Sequence, residues 1–453
     1  MNWERELIKA ITVSLCYILF FVISEIIHRK TKVSTELTRK LVHFLSGMLA
    51  MFFPVIFSFR VTVFILCLLF VSLISIGKKI GIIKGVTGIE RETEGEIYFP
   101  IAVFLLFSLG KSVPVIYAIS IAVMAVADPI AAIIGKAYGY ITYRVQYHDK
   151  STEGSVSFFF ITFLIVHIPI LLLTNISRLN SLLLSFLVAL LVTALELISL
   201  KGSDNILVPF GTFFILFKLS SKPTEEIILQ VVTLSLVIIT SFMLGLKMKK
   251  ISFSGLITLI LASYAAWSLA GFIYYIPMLL FFIGFIFMNL IYHVEPAEQS
   301  HSFRVGSLLR ILLIPILIIF AANIFSKERF LYLAFLCSAG VHFTLLWRHW
   351  FIDGKLRVSF IEKYQNFFAN LGFLLASLFV LIIPQILYKP YNIFVFSSVF
   401  ISGCLLSDFI YITIRKKIIE YPSYNLNRSL RNIIVFFIVL IVLILQIMGI
   451  LNV

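Results

Sequence analysis

Charge is what this sequence has least of. Asp, Glu, Lys and Arg make up 13% of its 453 residues, about half the share in a soluble domain. A soluble globular protein is excluded on that ground. Cysteine is nearly as scarce: Cys16, Cys67, Cys337 and Cys404 all lie inside apolar runs, with no C-x-x-C spacing. That excludes a zinc ribbon and a disulfide framework, and leaves four small core residues. No G-x-x-x-x-G-K-[ST] loop occurs, and no H-R-D or D-F-G set, so P-loop and protein-kinase chemistry are excluded. G-x-S-x-G and H-E-x-x-H are missing too. No small-residue cleavage site follows the first apolar run, Leu7 to Ile27. It reads as a retained signal anchor, with no transit peptide pattern.

What is abundant is hydrocarbon. Hydrophobic residues make up 60% of the chain and phenylalanine alone occurs 46 times. Apolar runs of roughly 18–25 residues recur along it, each long enough to cross a bilayer as a helix. About sixteen such spans are expected, which predicts an all-α polytopic membrane bundle. The runs near residues 103 and 212 are short and read as half-helices or re-entrant segments. The formal net charge is +15, but the basic residues sit in short loops, where anionic lipid and topology require them, and nucleic acid is not an expected partner. Alternate loops (28–40, 77–96, 135–153, 201–205, 247–250, 293–310, 348–363 and 415–431) hold most of the 37 Lys and Arg residues. The positive-inside rule places those loops in the cytoplasm and both termini outside. Around residues 220–250 the loops lose their acids and glycines. Residues 1–222 read as the chemical module, and 223–453 as a second bundle that is structural or guides substrate.

The polar segments TRKLVH, ERETEGE, HDKSTEGS and KGSDN all fall on the cytoplasmic side. Asp128, in AVADPIAAIIGKAYG, stands out as a carboxylate well inside an apolar run. Such a group is costly at membrane depth and by default marks function. Pro129 follows it and frees nearby backbone carbonyls. Gly135 and Gly139 give a G-x-x-x-G spacing that suits either close helix packing or a ligand. Arg39 and His43 share a helix face and, with Lys40, suit a phosphate, although a plain positive anchor has the same look. In HDKSTEGS, Lys150 is a cation, Ser151 and Thr152 bring hydroxyls, and Glu153 brings an acid. Gly154 and Ser155 open the next helix, whose amides favour an anion, while an ordinary helix cap uses the same residues. Glu196 is a second carboxylate in an apolar run, and Asp204-Asn205 is an Asx pair that also makes simple turns. Glu92, Glu94 and Glu96 form a row of acids able to hold Mg²⁺ or to serve as a solvated turn. The two T-E-G stretches, about 59 residues apart, are too short to establish a repeat.

Taken in order, RKLVH (39–43), GEIYFP (95–100), ADPIAAIIGKAYG (127–139), KSTEGS (150–155) and ELISLKGSDNILVP (196–209) resemble the family of dolichol kinase, phytol kinase and yeast-type diacylglycerol kinase. The resemblance covers roughly residues 35–215. It implies a membrane enzyme that moves the γ-phosphate of CTP, or another nucleoside triphosphate, to a lipid alcohol: a polyprenol, dolichol, phytol or diacylglycerol. It implies Asp128, Lys150 and Glu153 as the catalytic set and Asp128, Glu196 and Asp204 as ligands for Mg²⁺. Arg39, Lys40, His43, Gly135, Gly139, Ser151, Gly154 and Asn205 are then the residues around the nucleotide. Phosphatidate cytidylyltransferases look similar around D…G…G…K-[ST]-x-E-G, but their carboxy-terminal H-G-G signature with paired aspartates is absent. An ion-coupled transporter with midplane carboxylates is the alternative from another class. The second half faintly resembles the membrane family that contains phytyl-phosphate kinase, without its acidic motif. Asp408, alone in a late span, is the exception there.

Overall fold

The computed structural model describes residues 3–31, 34–80, 94–145, 148–245, 251–293, 305–353, 355–356, 392–418 and 424–451, with isolated positions between 357 and 391. Its described chain is helical almost throughout, and twelve of its helices are long and apolar enough to cross a membrane. The all-α polytopic membrane fold is what the hydropathy pattern requires. The short runs near residues 103 and 212 form 16-residue helices, Gly95–Gly110 and Asp204–Leu219. The expected span near 377 lies largely outside the described residues, as does Glu92.

The chain divides into two compact units, Met1–Val231 and Val232–Val453. In the first, α1 (Trp3–Lys30), α2 (Thr35–Ala50), α3 (Phe53–Ile56) and α4 (Arg60–Ile80) precede α5 (Gly95–Gly110) and α6 (Pro114–Ala122). A π-helical turn, Val123–Ala127, leads into α7 (Asp128–Tyr138). Then come β1 (Thr142–Val145), β2 (His148–Ser151), α8 (Thr152–Leu173), α9 (Arg178–Ile198) and α10 (Asp204–Leu219). Helix α11 (Thr224–Gly245) runs across the boundary between the units.

Exposed faces here are apolar. Helix α1 shows Leu15, Ile18, Leu19 and Val22 outward, which is how a helix meets lipid rather than water. The core of this unit is built on Phe107, Tyr117, Val123, Met124, Phe158 and Val192. Backbone breaks are closed by side chains. Buried Glu6 accepts from the amides of Ser58 and Phe59 at 2.7 and 2.9 Å, where α4 begins. Helix α2 comes against the π-turn at Gly47, where a Cβ would stand 2.2 Å from that of Ala125. Only glycine permits that approach.

Two short strand pairs depart from the all-helical expectation among the described residues. HDKS is a strand, paired antiparallel with Thr142–Val145 so that Tyr143 faces Lys150 and Arg144 faces Asp149. The reason is local: a run ending in β-favouring Thr, Tyr and Val returns on itself before Ser151 caps α8. That serine accepts the amide of Gly154 at 3.1 Å.

The second unit contains α12 (Phe253–Ala270), α13 (Phe272–Ile291), α14 (Val305–Phe325), α15 (Glu328–Asp353), α16 (Ile393–Ile418) and α17 (Tyr424–Ile447). A two-residue bridge joins β3 (Tyr292–His293) to β4 (Lys355–Leu356). Helix α15 is the central one, with 89% of its membrane-length window buried. Within it Arg348 reaches Asp408 of α16 through two hydrogen bonds, Nε–Oδ1 at 2.8 Å and Nη2–Oδ2 at 2.6 Å. A third guanidinium nitrogen donates to Asn370 at 2.5 Å.

Candidate functional site

A cavity of about 470 Å³ opens where the ends of α2, α7, α8, α9 and α10 meet the hairpin. The sequence-predicted residues gather there: Arg39, Lys40 and His43 from α2, Asp128 and Gly135 from α7, Lys150, Ser151 and Gly154 from the hairpin and α8, and Glu196, Asp204 and Asn205 from α9 and α10.

The π-turn explains how Asp128 arrives. Pro129 has no amide to donate and its ring crowds the preceding turn, so regular α-helical bonding fails just before it. His43 Nε2 lies 3.3 Å from the Met124 carbonyl in that turn. A carbonyl only accepts, so this nitrogen carries the proton. Asp128, first residue of the resumed helix, then meets Lys40: Nζ donates to Oδ2 with both side chains nearly buried.

On the opposite wall the hairpin aims Lys150 at the end of α9. Its ammonium donates to the Glu196 carboxylate at 2.7 Å, to the Glu196 backbone carbonyl, and to Ser199 Oγ at 3.4 Å. The pair is about four-fifths buried on each side. A chain reversal between α9 and α10 brings Asp204 in. Lys201 and Gly202 take left-handed φ values of 49° and 86° there, a conformation that favours glycine at the second position. The same turn receives the segment before α5, since the Glu94 amide donates to the Lys201 carbonyl at 3.0 Å. Asn205 is buried and donates to the Gly95 carbonyl at 2.8 Å.

Two groups in this wall are left with spare bonding capacity. Asp204 Oδ1 and Arg39 Nε are both buried with no hydrogen-bond partner among the described residues. Among the described residues, Arg39 otherwise reaches Glu36, at 4.0 Å. Leaving a buried polar atom unsatisfied costs about 1–3 kcal/mol. Both residues line the cavity beside Lys40, Lys150, Asp128 and Glu196, and this mixed set of cations and carboxylates suits a ligand that carries both a cation and an anion.

Glu153 and Gly139 are not in the cavity wall. Glu153 Oε1 accepts the amides of Tyr140 and Ile141, at 3.0 and 3.2 Å, so it braces the chain between α7 and β1. Gly135 and Gly154 serve close contact between α7 and α8, and Gly139 sits where the end of α7 meets Ser151. A Cβ on Gly135 would lie 2.7 Å from Ser151 Oγ, and one on Gly139 would lie 2.2 Å from the Gly135 carbonyl. Gly154 packs 3.2 Å from Gly135 Cα by the same measure. Glu94 bonds the Tyr98 hydroxyl, and neither it nor Glu96 lines the cavity.

Sequence reasoning passed over Lys136, Asp149 and Ser199, which do line it. Lys136 and Asp149 stand inside stretches already singled out. Only their neighbours in space distinguish them from ordinary loop charges. Among the described residues, no three His, Cys, Asp or Glu side chains converge as a self-sufficient metal site. Paired carboxylates facing lysines, beside unfilled bonding positions, instead suit a cation that brings most of its ligands with it.

No family model matches the chain, and no solved structure matches it. A phytol kinase from Synechocystis sp. is 29% identical over 197 residues, which is 42% of this chain and 83% of that relative.

Proposed function

We propose that the unit formed by residues 1–231 transfers the γ-phosphoryl group of a nucleoside triphosphate to the hydroxyl of an isoprenoid alcohol. CTP is the donor that the sequence resemblance implies. The observation that carries the reading is the convergence of the cations Arg39, Lys40 and Lys150 with the carboxylates Asp128, Glu196 and Asp204 on one cavity. The likeness to a phytol kinase supports the same chemistry.

Phosphoryl transfer asks for positioning and charge neutralisation rather than covalent chemistry. The alcohol oxygen forms a bond to the γ-phosphorus as the bond to the β-phosphate oxygen breaks. A lipid phosphate and a nucleoside diphosphate result. Arg39 and Lys150 stand where they offset charge on the phosphates. Asp128 accepts the hydroxyl proton, and Lys40 is freed for phosphate as that carboxylate is neutralised.

Mg²⁺ fits the residues present. The donors are hard carboxylate oxygens, and Mg²⁺ is commonly held by one or two carboxylates plus phosphate oxygens. Asp204, with Asp128 or Glu196, would hold it, and it would neutralise phosphate charge. His43 and Asn205 fix the surrounding backbone, through Met124 and Gly95 respectively.

The cavity is assigned to the cytoplasmic side, where the soluble nucleotide is, with about sixteen crossings and both termini outside. The loop charge bias supports that placement. Residues 232–453 then serve as a structural or substrate-guiding bundle.

Incubation of the purified protein with γ-labelled CTP or ATP and a panel of lipid alcohols tests the reading. Label should move from the γ position to lipid. Transfer of α label with release of pyrophosphate would assign a cytidylyltransferase instead, and substrate flux without nucleotide would assign a transporter.

A further inference from the structure

Three acceptors surround the Lys150 ammonium, and an ammonium has three protons to donate. They are the Glu196 carboxylate at 2.7 Å, the Glu196 backbone carbonyl, and Ser199 Oγ at 3.4 Å. Every donor of this lysine is thus engaged within the protein. A phosphate oxygen that approaches Lys150 meets a positive charge but no proton to accept. For the lysine to bind it directly, one of the three bonds has to be exchanged.

The three bonds are unequal. The carboxylate belongs to an ion pair about four-fifths buried on each side, and parting such a pair strands a charge. The Glu196 carbonyl lies at the end of α9 and lacks its regular helical donor, because the Leu200 amide donates to Ser203 Oγ at 2.9 Å. Ser199 is a neutral acceptor, and its contact is longer than the roughly 2.7–2.9 Å of a charge-assisted bond. It is the cheapest of the three to give up. Ser199 is also well held. It is buried, ends α9 with extended backbone (φ −63°, ψ 141°), and lines the cavity beside Lys150. Its hydroxyl donates to the Glu196 carbonyl at 2.7 Å, which leaves the Oγ lone pairs for the lysine.

We propose that Ser199 is a positioning residue that parks the third proton of Lys150 in the absence of phosphate and yields it to a phosphate oxygen of the nucleotide. The inference rests on the phosphoryl-transfer reading and deepens it. Glu196 keeps both of its bonds through the exchange, so the ammonium pivots about a fixed anchor. When the nucleoside diphosphate leaves, the proton returns to Ser199, and the serine thereby competes with the ligand for the lysine.

The test measures binding of tripolyphosphate and of the β,γ-imido analogue of CTP to the full-length protein in nanodiscs. Ser199→Ala removes a bond that the free protein has and the bound protein lacks. Affinity for both probes should therefore rise about five-fold, and KM for nucleotide should fall with no gain in kcat. A hydroxyl that only supported the helix end would, once removed, weaken binding or leave it alone. Ser199→Thr keeps the hydroxyl and should bring the affinity back towards wild type. In a background of Lys150→Met with Glu196→Gln, which strands no charge, Ser199→Ala should change nothing. Unchanged or weaker binding by Ser199→Ala with a wild-type thermal transition would overturn the proposal. The same gain in the lysine-free background, or no tripolyphosphate binding to the wild type, would overturn it too. Should Ser199→Ala not fold, Ser199→Cys, a weaker acceptor, carries the same comparison with a smaller gain. The two readings fail separately: absent γ-label transfer to any alcohol defeats the kinase assignment, while tripolyphosphate binding still reports on Ser199.

Discussion

Lys40 and Asp128 stand 88 residues apart in sequence and meet Nζ to Oδ2 at the wall of the main cavity, with both side chains nearly withdrawn from solvent. Neither charge is tolerable there alone. Their pairing keeps a carboxylate inside an apolar run at the point where a hydroxyl proton has to be received.

Asp128→Asn should lower phosphoryl transfer about a thousand-fold and, because it strands the Lys40 ammonium, also lower stability. Lys40→Met should likewise destabilise the protein by about 3–5 kcal/mol, because a buried carboxylate loses its counter-ion. Combining the two should restore stability and not activity. Thermal unfolding and γ-label transfer measured on all three variants check this. Near-normal turnover by Asp128→Asn removes the residue from the mechanism.

Lys150 sits in a compact nest of three acceptors, two from Glu196 and one from Ser199. A guanidinium is planar and wider than an ammonium, so Lys150→Arg is not conservative here. Its turnover should fall about a hundred-fold. Equal rates for the two residues would show that a point charge is all the site uses.

The resemblance implies Glu153 in the catalytic set, and in the structure its Oε1 braces the amides of Tyr140 and Ile141. Glu153→Gln keeps a carbonyl oxygen for those amides and should leave the Mg²⁺ dependence of the rate where it was. Glu153→Ala removes the acceptor and should loosen the hairpin that carries Lys150, lowering activity and speeding proteolysis between α7 and α8. A shift of the Mg²⁺ requirement in Glu153→Gln would place the residue at the metal instead.

In the second unit, Arg348 and Asp408 form a bidentate pair between α15 and α16. Asp408→Asn should cost about 3–5 kcal/mol, as it strands a buried guanidinium. Replacing both residues with apolar ones of similar size should recover most of that. Thermal unfolding decides, and a neutral Asp408→Asn would mean that water reaches the pair.

Much of this was legible in the chain. Apolar run lengths give the helices, because a bilayer fixes how many residues cross it. Asp128 announced itself by depth in an apolar run. What the sequence could not carry was partnership. Nothing in TRKLVH says that Lys40, rather than Arg39, reaches Asp128, since that depends on how α2 is rotated against the π-turn at Gly47. The cluster KSTEGS reads as one anion-binding unit. In space it divides: Lys150 faces Glu196, Ser151 caps α8, and Glu153 turns back to brace the chain after α7. Glu196 looked like a lone acid because its lysine lies 46 residues away.

The π-turn at Val123–Ala127 holds one residue more than a regular turn requires, and it sits immediately below Asp128. It therefore acts as a phase shifter between the two halves of one span. Below it the helix keys into α2; above it the face turned to the cavity is set independently. Each residue of an α-helix advances the face by about 100°. Deleting one residue of the five should return this turn to regular α-helical bonding, removing the widened turn below Asp128 while leaving the hydropathy of the span unchanged.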